Sequence, residues 1–141
     1  MLTAAGFAVV ACDDRPGTLT PEWVPGVYDR RLVDYKNLSK QCPIGPRDLV
    51  VVATAGHKSD IDVVIQAMRA KPAYLGCLGS RRKTAFVRAR LEQEGFTQEQ
   101  IDELHLPIGV AIEAEDPEEI AISIAAEMIH LRRTKLVPRK R

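Results

Sequence analysis

Leu49-Val50-Val51-Val52-Ala53 is apolar at every position, which leaves it few structural choices. A strand with one wet face alternates apolar and polar residues. An unbroken short run fits a strand covered on both faces, as in parallel sheets flanked by helices. Phe7 to Cys12 reads the same way, and Ala73 to Leu78 is a third candidate, weakened by Gly76. Ile108 to Ile112 is a fourth.

Between these runs the apolar period becomes helical. Ile61, Val64, Ile65 and Met68 form one stripe, with Ser59 and Asp62 suited to a capping box at its start. Val87 and Leu91 stack with Thr84 on a second helix that Ser80 can cap, and Thr97 with Gln100 opens a short third. Asp116-Pro117-Glu118-Glu119 combines a cap, a proline at the first helical position and acids in the first turn. The helix after it is polar only along Ser123, Glu127 and His130, so most of its circumference is expected to be buried. Strands alternating with crossover helices predict an α/β, doubly wound parallel sheet. Residues 15–48, rich in proline, give no clear pattern.

The 141 residues suit one domain, 1–141, with a basic tail at 132–141. At 45% apolar and 28% charged, the chain is neither a disordered tail nor a membrane protein. No apolar run approaches a membrane span and no signal peptide is evident, so a cytoplasmic location is the default expectation. The tail holds six of the 20 cations; the remainder carries 14 cations against 19 anions, or −5, with no basic face interleaved with aromatics. Nucleic-acid binding is therefore not expected. Cys12, Cys42 and Cys77 lack C-x-x-C spacing, which argues against a structural metal site or a disulfide framework. Cys12 and Cys77 read as core residues, while Cys42 sits in a loop before Pro43 and is open to a reactive role.

In doubly wound sheets, ligands bind outside the carboxyl ends of the strands. The first run ends at Asp13 and Asp14, acids placed either to meet ribose-type hydroxyls or to cap a local turn. The second ends at Thr54-Ala55-Gly56-His57, where Gly56 permits close backbone approach and His57 can donate to an anion or cap. The third ends at Gly79-Ser80-Arg81-Arg82-Lys83. Three cations in a helix's first turn oppose its dipole, at about 0.3–1 kcal/mol each. A bound anion on amides, hydroxyl and cations together explains that placement; the alternative is side chains that splay into solvent or pair with Asp and Glu elsewhere. His105-Leu106-Pro107-Ile108-Gly109 offers a fourth turn, open at Gly109.

Taken together, several strings resemble the C-terminal, Rossmann-like domain of the XdhC/CoxI family of xanthine dehydrogenase accessory factors. They are Asp13-Asp14-Arg15-Pro16, Thr54-Ala55-Gly56-His57, Gly76 to Lys83, Glu94-Gly95-Phe96, His105 to Gly109 and Glu115 to Ala121, in order over nearly the whole chain. The resemblance implies a Rossmann-like doubly wound sheet. It also implies binding of the molybdenum cofactor (molybdopterin) and its delivery to a xanthine-dehydrogenase-type molybdenum hydroxylase, with a cysteine desulfurase as partner. The role is that of a cofactor-binding accessory protein more than a turnover enzyme. The candidate cofactor-binding set is Asp13, Asp14, Thr54, Gly56, His57, Gly79, Ser80, Arg81, Arg82, Lys83, Pro107 and Gly109; no catalytic residue is assigned.

Two departures accompany the resemblance. The family's first strand and Gly-rich loop are not found among these residues, and Ala111, Ile112 and Glu113 stand where the family commonly has Asp-Ile-Gly. Met1 to Gly6 reads as the end of the helix that follows such a loop. A sheet without its central strand leaves backbone groups unpaired. Closure by a second copy in a homodimer, a rearranged pairing, or a shortened chain are the expectations. An NAD(P)-binding oxidoreductase domain is an alternative function, opposed by the missing loop and by the lack of a Tyr/Lys or His/Asp catalytic pair. A fragment acting only through association with a partner is another.

Overall fold

Three of the four apolar runs contain short strands, each paired in parallel with another strand. The structure is a computed structural model that describes residues 1–137, apart from the side chain of His57. The expectations for the His57 imidazole and for 138–141 of the basic tail lie outside the described residues. The elements are β1 (Val10–Asp13), β2 (Asp29–Leu32), α1 (Leu38–Gln41), β3 (Leu49–Val52), α2 (His57–Ala70), β4 (Tyr74–Cys77), α3 (Arg81–Gln93), α4 (Gln98–Asp102) and α5 (Pro117–Leu131). None of the described helices is long and apolar enough to cross a membrane. The architecture is α/β.

The strands form two separate two-stranded parallel sheets, β1 with β2 and β3 with β4. Val10 lies opposite Asp29 and Asp13 opposite Leu32; Leu49 lies opposite Tyr74 and Val52 opposite Cys77. Two expectations need correcting. The first strand occupies 10–13 rather than 7–12, because pairing with β2 begins at Val10. No strand forms at 108–112. Instead, His105 bridges to Gly76, with its N–H donating to Leu75 O at 2.9 Å and its carbonyl accepting from Cys77 N at 2.9 Å. β4 is therefore edged by 105–108, not by the apolar residues that follow.

The chain divides into two compact units, Val10–Ile108, and Met1–Val9 with Gly109–Arg141. In the larger unit, α2 crosses from β3 to β4 and is buried at Asp60, Ile61, Val63, Val64, Ile65 and Ala67. It packs with Val52, Leu75 and Cys77 of the strands, Val87 and Leu91 of α3, and Ile101 and Leu104 at α4. Each such aliphatic side chain contributes roughly 1.5–3 kcal/mol on burial. Ser80 caps α3 by accepting from Lys83 N, and Thr97 and Gln100 form a capping box on α4. The expected box at Ser59 and Asp62 does not form, because α2 starts three residues earlier with Gly56 as its cap. The irregular stretch is tied down by polar side chains. Gln66 Nε2 donates to Tyr35 O at 2.5 Å, Ser39 N donates to Gln66 Oε1 at 2.9 Å, and Arg30 donates to Val24 O at 2.6 Å.

In the smaller unit, Met1–Ala5 makes one helical turn closed by Gly6 at φ +84°, with Phe7 N donating to Leu2 O and Gly6 N to Thr3 O. This is a Schellman ending. Arg132 stacks over the Phe7 ring, 4.2 Å from its centroid. Helix α5 begins at the expected cap, with Pro117 in its first turn and Glu119 Oε2 accepting from Asp116 N at 3.1 Å. The expectation that most of its circumference is buried needs correcting, since only the side carrying Ser123, Ala125, Met128 and Leu131 is buried. Ser123 is buried while Ile122 and Ile129 are exposed, because the serine side of the helix receives the Gly109 backbone. Val110 N donates to Ser123 O at 3.2 Å and Gly109 N to Glu127 Oε2 at 2.7 Å.

Candidate anion-binding site at the strand ends

The loops leaving β3 and β4 are joined by one buried ion pair. Lys83, in the first turn of α3, turns its ammonium back to Asp60 Oδ2 and also donates to Leu78 O at 2.8 Å. The two side chains are 10% and 2% exposed, so this cation is spent inside the protein. Asp60 Oδ1 accepts from Thr54 N at 2.8 Å and from the Thr54 hydroxyl at 2.7 Å. A carboxylate on the first turn of α2 thus shapes the loop before its own helix and binds the start of the next. Burial, then the nearby Asp60, push the Cys77 thiol up to about 11, which keeps it a neutral core group.

Gly79 is where the Lys83 stem folds back. A Cβ there would meet Lys83 Cδ at 2.9 Å and Leu106 Cδ1 at 3.5 Å. Gly56, by contrast, has no atom of the described residues beyond its chain neighbours within 4 Å of an added Cβ. Arg81 and Arg82 are exposed, and among the described residues neither forms an ion pair. The candidate site is therefore two helix starts, at Gly56 and at Ser80, held by Asp60 and Lys83 and flanked by two exposed guanidiniums. Helix N-termini and guanidiniums both favour anions.

Asp13 and Asp14 form a second cluster. Asp13 accepts from Arg15 N at 2.9 Å, Nε at 3.0 Å and Nη2 at 3.0 Å, and these bonds hold its carboxyl below the usual range. Burial, then the charges of Asp13 and Asp14, raise the Tyr35 phenol. The sign of the pH effect follows. A depressed native pKa contributes stability that is present above about pH 4 and lost as pH falls through the native value. Thermal melting between pH 6 and roughly pH 3 should show wild type losing its advantage over Asp13→Asn on acidification. Equal melting temperatures at pH 6 would contradict this.

Pro107 is exposed and follows a cis Leu106–Pro107 bond. Gly109, at φ +97°, lies against Ser123 of the smaller unit. Asp60 and Tyr35 are the members of these clusters that the candidate set omitted. Asp60 had a signal, an acid at the start of a helix six residues after a strand-end threonine; Tyr35 lay in the stretch without a pattern. Among the described residues, no three His, Cys, Asp or Glu side chains are grouped to hold a metal ion.

Known proteins carry the same arrangement of elements. The family model for the XdhC Rossmann domain matches residues 1–128. The molybdenum cofactor insertion chaperone PaoD of Escherichia coli is 29% identical over 105 residues, 74% of this chain and 33% of that protein. A probable xanthine dehydrogenase component of Bacillus subtilis is 28% identical over 128 residues, 91% of this chain and 37% of that protein. A crystal structure described as a xanthine dehydrogenase from Bacillus halodurans superposes with a TM-score of 0.82 at 29% identity, covering 98% of this chain and 39% of that one. The chain spans 23–37% of the lengths of the curated relatives it matches.

Proposed function

Because the chain belongs to the XdhC Rossmann-domain family, we propose that it binds the molybdenum cofactor by its phosphate and serves maturation of a xanthine-dehydrogenase-type molybdenum hydroxylase. The observation that carries this reading is the pair of helix starts clamped by Asp60 and Lys83, with Arg81 and Arg82 outside any ion pair among the described residues. The cofactor supplies redox chemistry to the enzyme that receives it; this chain holds and transfers it. Ser80, Arg81 and Arg82 contact the phosphate together with the amides at Gly56, His57 and Gly79. Lys83 acts one step back, fixing the loop. Asp13 and Asp14 meet pterin or hydroxyl groups, while Pro107 and Gly109 enter the reading from the family resemblance alone. The names of the relatives support this class of role, PaoD being an insertion chaperone.

Calorimetric titration of the chain with molybdopterin, and separately with ADP, tests the reading. Arg81→Ala with Arg82→Ala removes two charge-assisted contacts and should weaken molybdopterin binding about 100-fold, with circular dichroism unchanged. Unchanged affinity removes the arginines from the site, and preferential binding of ADP transfers it to nucleotides. The same proposal includes a cysteine desulfurase as sulfur donor and a homodimer. Co-purification and sedimentation measure these two.

A further inference from the structure

Away from the helix starts, a second group of reactive side chains comes together on the β1–β2 sheet. Cys12 and Arg31 are register partners, so their side chains leave the same face. Arg31 Nη1 lies 3.6 Å from Cys42 Sγ, and Arg31 Nε is held by Asp29 at 2.8 Å. Cys42 is fixed at the end of α1, its N–H donating to Leu38 O at 2.7 Å. The Cys12 thiol is near enough to Cys42 for the two to interact electrostatically, and both pack on the margin of the same core. Neither is fully buried, whereas Cys77 is.

We propose that Cys12 and Cys42 are a redox-active dithiol that low-molecular-weight disulfides oxidise to an intramolecular disulfide, with Arg31 as the positioning residue. Cys42 attacks first, because the guanidinium faces its sulfur. Burial, then the adjacent Cys42, push the Cys12 thiol up to about 12, which keeps it protonated at this stage. Cys42 gives its proton to solvent and its sulfur attacks a disulfide R–S–S–R, forming a Cys42–S–S–R bond and expelling one thiolate, which takes up a proton from solvent. Cys12 then gives its proton to a departing thiolate and attacks Cys42 Sγ, forming the Cys12–Cys42 bond and releasing the second R–SH. The protein dithiol loses two electrons and the small disulfide gains them. The product would tie β1 to the end of α1.

The test uses the whole chain, oxidised glutathione at graded ratios to glutathione, and peptide mass mapping without reduction. Wild type should yield a Cys12–Cys42 cross-linked peptide with Cys77 unmodified. Cys12→Ser should retain one glutathione on Cys42, and Cys42→Ser should leave Cys12 unmodified. Arg31→Gln should slow cross-linking about tenfold, with Arg31→Lys restoring the rate. Stable glutathione adducts on both cysteines without a cross-link, a cross-link through Cys77, or a fully reduced wild type would each overturn the proposal. The wild-type arm decides even where a variant fails to fold.

Discussion

Asp60→Ala is expected to destabilise the larger unit by about 3–5 kcal/mol, because it strips a buried ammonium of its counter-charge. Asp60 is 1% exposed and serves three donors, the Thr54 N–H, the Thr54 hydroxyl and Lys83 Nζ. After truncation, Lys83 keeps only the Leu78 carbonyl, and the Thr54 amide loses its partner. Asp60→Asn, which retains an acceptor for Thr54 but not the charge, should cost less. Lys83→Met removes the other charge but leaves a buried carboxylate that still accepts two hydrogen bonds, so its cost should lie below that of Asp60→Ala. Urea unfolding followed by circular dichroism measures all three. A loss under about 1 kcal/mol for Asp60→Ala, the level of an exposed pair, would mean that the clamp does not hold these loops. The functional consequence is direct, since both helix starts of the proposed site depend on it.

Gly109→Ala should be nearly as damaging, about 3–5 kcal/mol from strain and overpacking together. Two causes add. The backbone sits at φ +97°, where a side chain costs on the order of 1–3 kcal/mol. The new methyl would also stand 2.3 Å from Ser123 Oγ, 3.2 Å from its Cβ and 3.3 Å from its backbone carbon. Only the first contact can be relieved by trimming. Adding Ser123→Ala should therefore recover part of the loss, about 1–2 kcal/mol as an overpacking term, while the backbone strain persists. Thermal unfolding of the single and double variants reads this, and a neutral Gly109→Ala would refute the close packing of this turn on α5. Loss of cofactor binding in a Gly109 variant would then report folding before recognition.

Gly76 shows how a sequence signal can point the wrong way. In a strand, glycine argues against pairing, yet β4 runs through it with all four residues buried. A Cβ there would meet Ile108 Cδ1 at 2.5 Å and the Tyr74 hydroxyl at 2.6 Å. The Tyr74 ring, stacked on His105 at 4.6 Å between centroids, takes the room that a side chain would fill. Glycine is required by Ile108, far along the chain, and by a tyrosine ring two residues before it that His105 helps to position. β2 was illegible for the opposite reason. Asp29-Arg30-Arg31-Leu32 has no apolar period, and its strand exists because β1 offers it an edge.

Local physics explains what could be read from the sequence alone. A continuous apolar run favours a strand covered on both faces, and Ser80, Thr97 and Asp116 satisfy amide groups within a few residues of themselves. Strands β3 and β4, helix starts α3, α4 and α5, and the α/β class follow from such short-range rules. The destinations of charges and the need for particular glycines do not. Lys83 meets Asp60 across 23 positions, Gly109 meets Ser123 across a turn, and the Cys12–Arg31–Cys42 group draws on three separate elements. Those pairings are settled only when the chain packs, because burial makes each charge find a partner and each gap take the shape left by its neighbours.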